Sequence, residues 1–146
     1  MNRSINHKVL IVDDDSAILY LCGQILAGSA IVTTAGNAFE AGEILLRGRF
    51  DLLVTDYEMP GRNGLDLVLH LRNPGNLTPV IVMSGTPSAR NAFEDAGVVN
   101  WRFLDKPFRA ETFRDLVRRV LSADQSLPDR GWELERQLSF ASRRAL

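Results

Sequence analysis

Four short stretches of the sequence run into residues able to do chemistry. Asp13, Asp14 and Asp15 follow Lys8–Val12. Asp56 follows Asp51–Thr55, Ser84 and Gly85 follow Pro79–Met83, and Lys106 and Pro107 follow a less sharply bounded run, Val98–Leu104. Two or three carboxylates sharing one crevice repel each other and need a counter-charge. A hard divalent cation, Mg2+ or Mn2+, supplies it, binding through one or two carboxylates and completing its shell with water and phosphate oxygens. A carboxylate is also a nucleophile toward a phosphoryl group, giving an aspartyl phosphate. A metal and a lysine ammonium stabilise the charge in transfer, and a small hydroxyl can hydrogen-bond one phosphoryl oxygen. The set is chemically complete for phosphoryl transfer to a carboxylate, provided that the fold brings it together.

The elements around these residues alternate. KVLIV (8–12) reads as a buried strand, Ala30–Thr34 as a β-branched second strand, DLLVT (51–55) as a third and PVIVM (79–83) as a fourth; Val98–Leu104 holds a fifth. Helical spacing fills the gaps. Ser16–Ala27 is stopped by Gly28. Asn37 caps a helix through Arg47, closed by Gly48. Leu65–Arg72 is stopped by Asn73–Pro74–Gly75, and Ser88–Ala96 and Ala110–Ser122 follow. Five strands alternating with five helices predict an α/β protein with a doubly wound parallel sheet and right-handed crossovers. In such sheets the functional crevice lies outside the carboxyl ends of the strands. That is where the acids, the hydroxyl and the amine are expected to converge.

Composition narrows the classes. The chain has 146 residues, 45% hydrophobic and 24% charged, with a net charge of −1. This fits one ordinary domain with its own core, and gives no general attraction to nucleic acid or an anionic membrane. No stretch approaches the roughly 20 apolar residues of a membrane span. Cys22 is the single cysteine, so no internal disulfide is available, which suits a reducing, cytoplasmic compartment. Its neighbours Leu19, Tyr20, Ile25 and Leu26 put it on an apolar helix face, as a small core residue. Asp15 reads as a helix cap, and His7 and His70 lack ligand spacing and read as surface or packing residues.

Four motifs taken together, VLIVDDD (9–15), LLVTDYEMPGRNGLDL (52–67), PVIVMSG (79–85) and FLDKPF (103–108), resemble the response-regulator receiver family of two-component signalling. The resemblance covers residues 8 to about 123. It implies a flavodoxin-like, five-stranded sheet in the order 2-1-3-4-5, and a phosphoacceptor switch fed by a sensor histidine kinase or phosphotransfer protein and read by a downstream effector or output domain. Such a module is not an enzyme, beyond catalysing its own phosphorylation and dephosphorylation. Position by position, it implies that Asp56 is the phosphoacceptor and that Asp13 and Asp14 hold the metal, Asp14 more directly. It also implies a further metal ligand in the Glu58 backbone carbonyl, a switch hydroxyl in Ser84, a phosphate-binding lysine in Lys106 and a cis peptide before Pro107. Phe103 falls at the aromatic switch position, although an aromatic there can equally be core.

The sequence also departs from the family. Asn63 stands where aspartate is common, and Gly42 where leucine is usual. The Glu58 side chain adds a carboxylate near the acceptor. Ala96–Gly97 comes early while the spacing from Ser84 to Lys106 is ordinary, so the fourth helix should end early and a longer loop, Val98–Asn100, should follow. Trp101 and Arg102 replace acidic residues, which argues against a salt-bridged dimer and leaves Trp101 either an exposed docking residue or a structural one. Two alternatives stand beside the receiver reading. A haloacid-dehalogenase-type phosphatase would want an aspartate where Glu58 lies, and a cap. A flavodoxin-like cofactor binder would want a Gly/Ser/Thr loop where Asp13–Asp15 lie. The expected division is a receiver over 1–124 and a linker with a helical tail over 125–146. The tail stripe of Leu134, Leu138, Ala141 and Ala145 fits either a signalling helix leading onward or a packed terminal helix.

Overall fold

The structure, a computed structural model, describes residues 7–122. The elements run β1 (Lys8–Val12), α1 (Ser16–Leu26), β2 (Ile31–Ala35), α2 (Ala38–Arg47), β3 (Leu52–Asp56), α3 (Gly64–Arg72), β4 (Val80–Ser84), α4 (Pro87–Asp95), β5 (Trp101–Asp105) and α5 (Ala110–Ser122). All pairings are parallel and the order is β2-β1-β3-β4-β5, as expected.

The pleat explains how one apolar strand serves two cores. Side chains alternate along a strand. Val9 and Ile11 therefore join Cys22 and Leu26 of α1 and Phe113, Leu116, Val117 and Val120 of α5 on one face. Leu10 and Val12 join Ala38 and Ala41 of α2, Leu67, Val68 and Leu71 of α3 and Phe93 of α4 on the other. β3 and β4 are buried throughout, whereas β2, at the sheet edge, is half exposed. Cys22 is fully buried, and burial pushes its thiol up to about 12, so it is a core residue and not a nucleophile. Tyr20 departs from expectation: it is 70% exposed, on the solvent side of α1.

β2, β3 and β4 each begin and end one residue later than the sequence suggests. The Asp51 carboxylate instead accepts the Lys8 amide at 2.8 Å, and Pro79, which has no N–H, leaves its carbonyl to accept from Leu53. Consequently Asp56 and Ser84 are the last residues of their strands rather than the first beyond them. Asp56 is in register with Met83, and Ser84 with Asp105.

The region after α4 follows the expected departure. The helix ends at Asp95, Gly97 turns at φ 68, and Val98–Asn100 forms a loop before β5. The Arg72 guanidinium donates to the Val99 and Asn100 carbonyls, which fixes that loop to the end of α3. Trp101 is not an exposed docking residue. It is 7% exposed and packs on Phe93 with ring centroids 5.1 Å apart.

Two glycines show opposite demands. A methyl at Gly42, in the middle of α2, would meet nothing within 4 Å, so the glycine only weakens its helix. A methyl at Gly64, the first residue of α3, would lie 2.5 Å from the Asp56 carbonyl oxygen, a close approach that only glycine permits. We therefore expect Gly42→Ala to stabilise the protein by about 0.5–1 kcal/mol. Gly64→Ala should destabilise it by about 1–3 kcal/mol through overpacking against backbone. Urea titration of both variants checks the pair.

Candidate functional site

The carboxyl edge of the sheet gathers the expected residues. The Asp13 amide donates to the Ala35 carbonyl at 3.1 Å, which continues the β1–β2 pairing one residue beyond β1 and leaves the side chain in the crevice. Its carboxylate accepts the Asp15 amide at 2.9 Å. Asp15 turns away and caps α1, accepting from the Ala17 amide at 2.9 Å. Asp13 and Asp56 are 1% and 4% exposed, and Asp14 lies open at the rim. One carboxylate oxygen from each of the three lies within 4.8 Å of the others.

Lys106 reaches this group from the far side of β4. Its amide donates to the Ser84 carbonyl at 2.8 Å, and the Lys106–Pro107 peptide is cis. Its Nζ then donates to Asp13 Oδ2 at 2.9 Å and to Asp56 Oδ1 at 3.1 Å. Burial works against the lysine's charge, but the bonds to the two aspartates outweigh it and raise its pKa above the usual lysine value. Asp56 is pushed up to about 6 by burial first and by the Asp13 charge second, against the pull of Lys106. One ammonium thus does not offset the acids. A crevice with this surplus, lined by carboxylate oxygens and open at Asp14, fits a hard divalent cation.

A second cluster, on the β4–α4 connection, was only half legible in the sequence. Ser84 is fully buried, but its Oγ donates to Glu58 Oε1 at 2.5 Å. Thr86 Oγ1 donates to the same oxygen at 2.7 Å. Burial disfavours the Glu58 charge, yet the bonds from Ser84 and Thr86 hold its pKa below the ordinary value. Thr86 went unnoticed, although a threonine before Pro87 signals a helix start. Phe103 is partly buried against the core and lies beneath the Arg90 guanidinium, 4.7 Å from its ring centroid. No sequence signal singled out Arg90. Asn63 takes a local role: it caps α3 in a reciprocal capping box with Asp66.

The surplus of buried negative charge has a thermodynamic sign. Asp56 binds its proton more tightly in the folded than in the unfolded protein, so at neutral pH its ionisation costs stability. Metal-free Asp56→Asn should therefore unfold about 1–2 kcal/mol harder than the parent at pH 7. The gap should narrow as the pH falls through about 6, where the folded aspartate takes up its proton, and close toward about pH 3, where the unfolded one is protonated too. Denaturant titrations with chelator across that pH range check this.

The response regulator receiver domain family matches residues 9–118. The chain is 33% identical over 140 residues to the DNA-binding transcriptional regulator NtrC of Azospirillum brasilense, covering 92% of this chain and 29% of that protein. It is 30% identical over 119 residues to the chemotaxis protein CheY-3 of Vibrio cholerae, covering 79% of this chain and 92% of that one. Among solved structures, the chemotaxis response regulator CheY4 of Vibrio cholerae superposes with a TM-score of 0.72 at 30% identity, over 79% of this chain and 98% of that one. The chain spans less than a third of the length of NtrC and nearly all of the chemotaxis proteins. With the sheet order, the acidic crevice and the lysine that crosses it, these likenesses make one conclusion: the chain belongs to the response regulator receiver domain family.

Proposed function

We propose that this receiver is a phosphoacceptor switch in which Asp56 takes a phosphoryl group from a sensor histidine kinase or phosphotransfer protein. The observation that carries the reading is the Lys106 bridge between the buried carboxylates of Asp13 and Asp56. An Asp56 oxygen forms the bond to phosphorus as the donor's P–N bond breaks, and the histidine nitrogen leaves with the electron pair. The Lys106 ammonium, already against Asp56 Oδ1, meets the negative charge that arrives. The side chains of Asp13, Asp14 and Asp56 and the Glu58 backbone carbonyl would hold Mg2+ or Mn2+, which offsets the acids and draws charge from the transferring group. The Ser84 hydroxyl then binds a phosphoryl oxygen and Phe103 repacks, which biases the α4–β5–α5 face toward its signalling form. The chain catalyses only its own phosphorylation and dephosphorylation.

Family membership favours this reading over a haloacid-dehalogenase-type phosphatase or a flavodoxin-like cofactor binder. Residues 125–146, proposed as linker and tail, fall outside the described residues, and so does the stripe from Leu134 to Ala145. Among the described residues no helix is long and apolar enough to cross a membrane. We place the protein in the cytoplasm on the strength of its family, not of that absence.

Incubation with acetyl phosphate and Mg2+, followed by acid-stable trapping and mass mapping, should put one modification on Asp56. None should appear in Asp56→Asn. A modification that persists in that variant would refute the assignment. For the metal, Asp14→Ala should weaken Mg2+ binding at least about tenfold by calorimetry, since one of very few charged ligands is lost. Unchanged affinity would move the metal elsewhere.

A further inference from the structure

The Glu58 carboxylate holds the hydroxyl that the switch needs. Its Oε1 accepts from both Ser84 Oγ and Thr86 Oγ1, and the Thr86 amide donates to Ser84 Oγ at 3.0 Å, so the turn leaving β4 closes around one carboxylate oxygen. A hydroxyl carries a single proton. Ser84 therefore cannot donate to Glu58 and to a phosphoryl oxygen on Asp56 at the same time. Thr86 adds a second, independent sign of the same commitment. It is the N-cap residue of α4, yet its side chain makes no capping hydrogen bond. The hydroxyl that would normally serve the helix start is turned to Glu58 instead.

We propose that Glu58 is an intramolecular latch, which competes with the phosphoryl group on Asp56 for the Ser84 hydroxyl and, through Thr86, ties the start of α4 to the unphosphorylated state. The latch rests on the reading of Asp56 as phosphoacceptor. Its consequence is a positioning role: Glu58 sets how strongly an anion on Asp56 must bind before α4 is released. Simple repulsion between Glu58 and an incoming anion would act in the same direction, but it does not need Ser84. That difference separates the two.

The test is titration of beryllofluoride, at saturating Mg2+, into the parent, Glu58→Ala, Ser84→Ala and the double variant, followed by amide spectra. Glu58→Ala should lower the half-saturating concentration about tenfold in the parent background, the scale of one charge-assisted hydrogen bond. In the Ser84→Ala background it should change it by less than about twofold. In ligand-free Glu58→Ala, the Thr86 amide should also move toward its position in the beryllofluoride-bound parent. Equal tightening in both backgrounds would mean repulsion alone and would overturn the latch, as would no tightening or a stationary Thr86 amide. Failure of the parent to bind beryllofluoride would instead overturn the phosphoacceptor reading, and the latch with it.

Discussion

Two carboxylates, Asp13 and Asp56, are buried side by side with one ammonium between them, and the rest of the structure is arranged around that imbalance. Burying like charges is costly, so the sheet must supply a compensation that the chain could not find locally. Parallel pairing does this. It brings every strand's carboxyl end to one edge, and the order β2-β1-β3-β4-β5 makes the ends of β1 and β3 neighbours. Lys106 must then cross β4 to reach them. The bond from its amide to the Ser84 carbonyl fixes the start of that reach. The compensation is incomplete, one ammonium against three clustered carboxylates, and the residual negative charge is what makes the crevice receptive to a cation.

Rigidity beneath the site comes from ordinary packing. β1, β3 and β4 are apolar enough to be buried on both faces, and cores gripping both sides hold their ends in register. Gly64 lets α3 start against the Asp56 carbonyl, and the Asn63–Asp66 capping box anchors that start. The β4–α4 turn is different in kind. It is held by polar bonds, two of them to a single exposed glutamate, and in the latch proposed above these are the bonds that an anion on Asp56 exchanges. A stable sheet edge beside such a turn would make the two-state element that a switch requires.

Much of this was legible in the residues, because strand ends and helix stops leave local marks. β1 and α5 fell where the apolar pattern put them, and the early end of α4 followed from Ala96–Gly97. The one-residue shifts of β2, β3 and β4 were not legible, because strand bounds depend on cross-strand partners such as the Lys8 amide for Asp51. Asp56, Lys106, Asp13 and Asp14 were expected to converge because their chemistry lies at or just past the ends of strands, and the structure gathers them at one sheet edge. The sequence left Trp101 open between a docking and a structural role, because its burial depends on Phe93, contributed by α4. The Glu58–Ser84–Thr86 cluster was only half legible for the same reason: a long side chain's direction is settled by its tertiary partners, not by its spacing from Asp56.

The most direct test of the account is a crystal structure of the protein with Mg2+ and beryllofluoride. The account predicts beryllium on an Asp56 carboxylate oxygen, the metal on Asp14, Asp56 and the Glu58 carbonyl, and both Lys106 Nζ and Ser84 Oγ within hydrogen-bonding distance of fluorine. A crevice in which Lys106 still bridges Asp13 and Asp56 with no adduct on Asp56, or an adduct that leaves Ser84 bonded to Glu58, would contradict it.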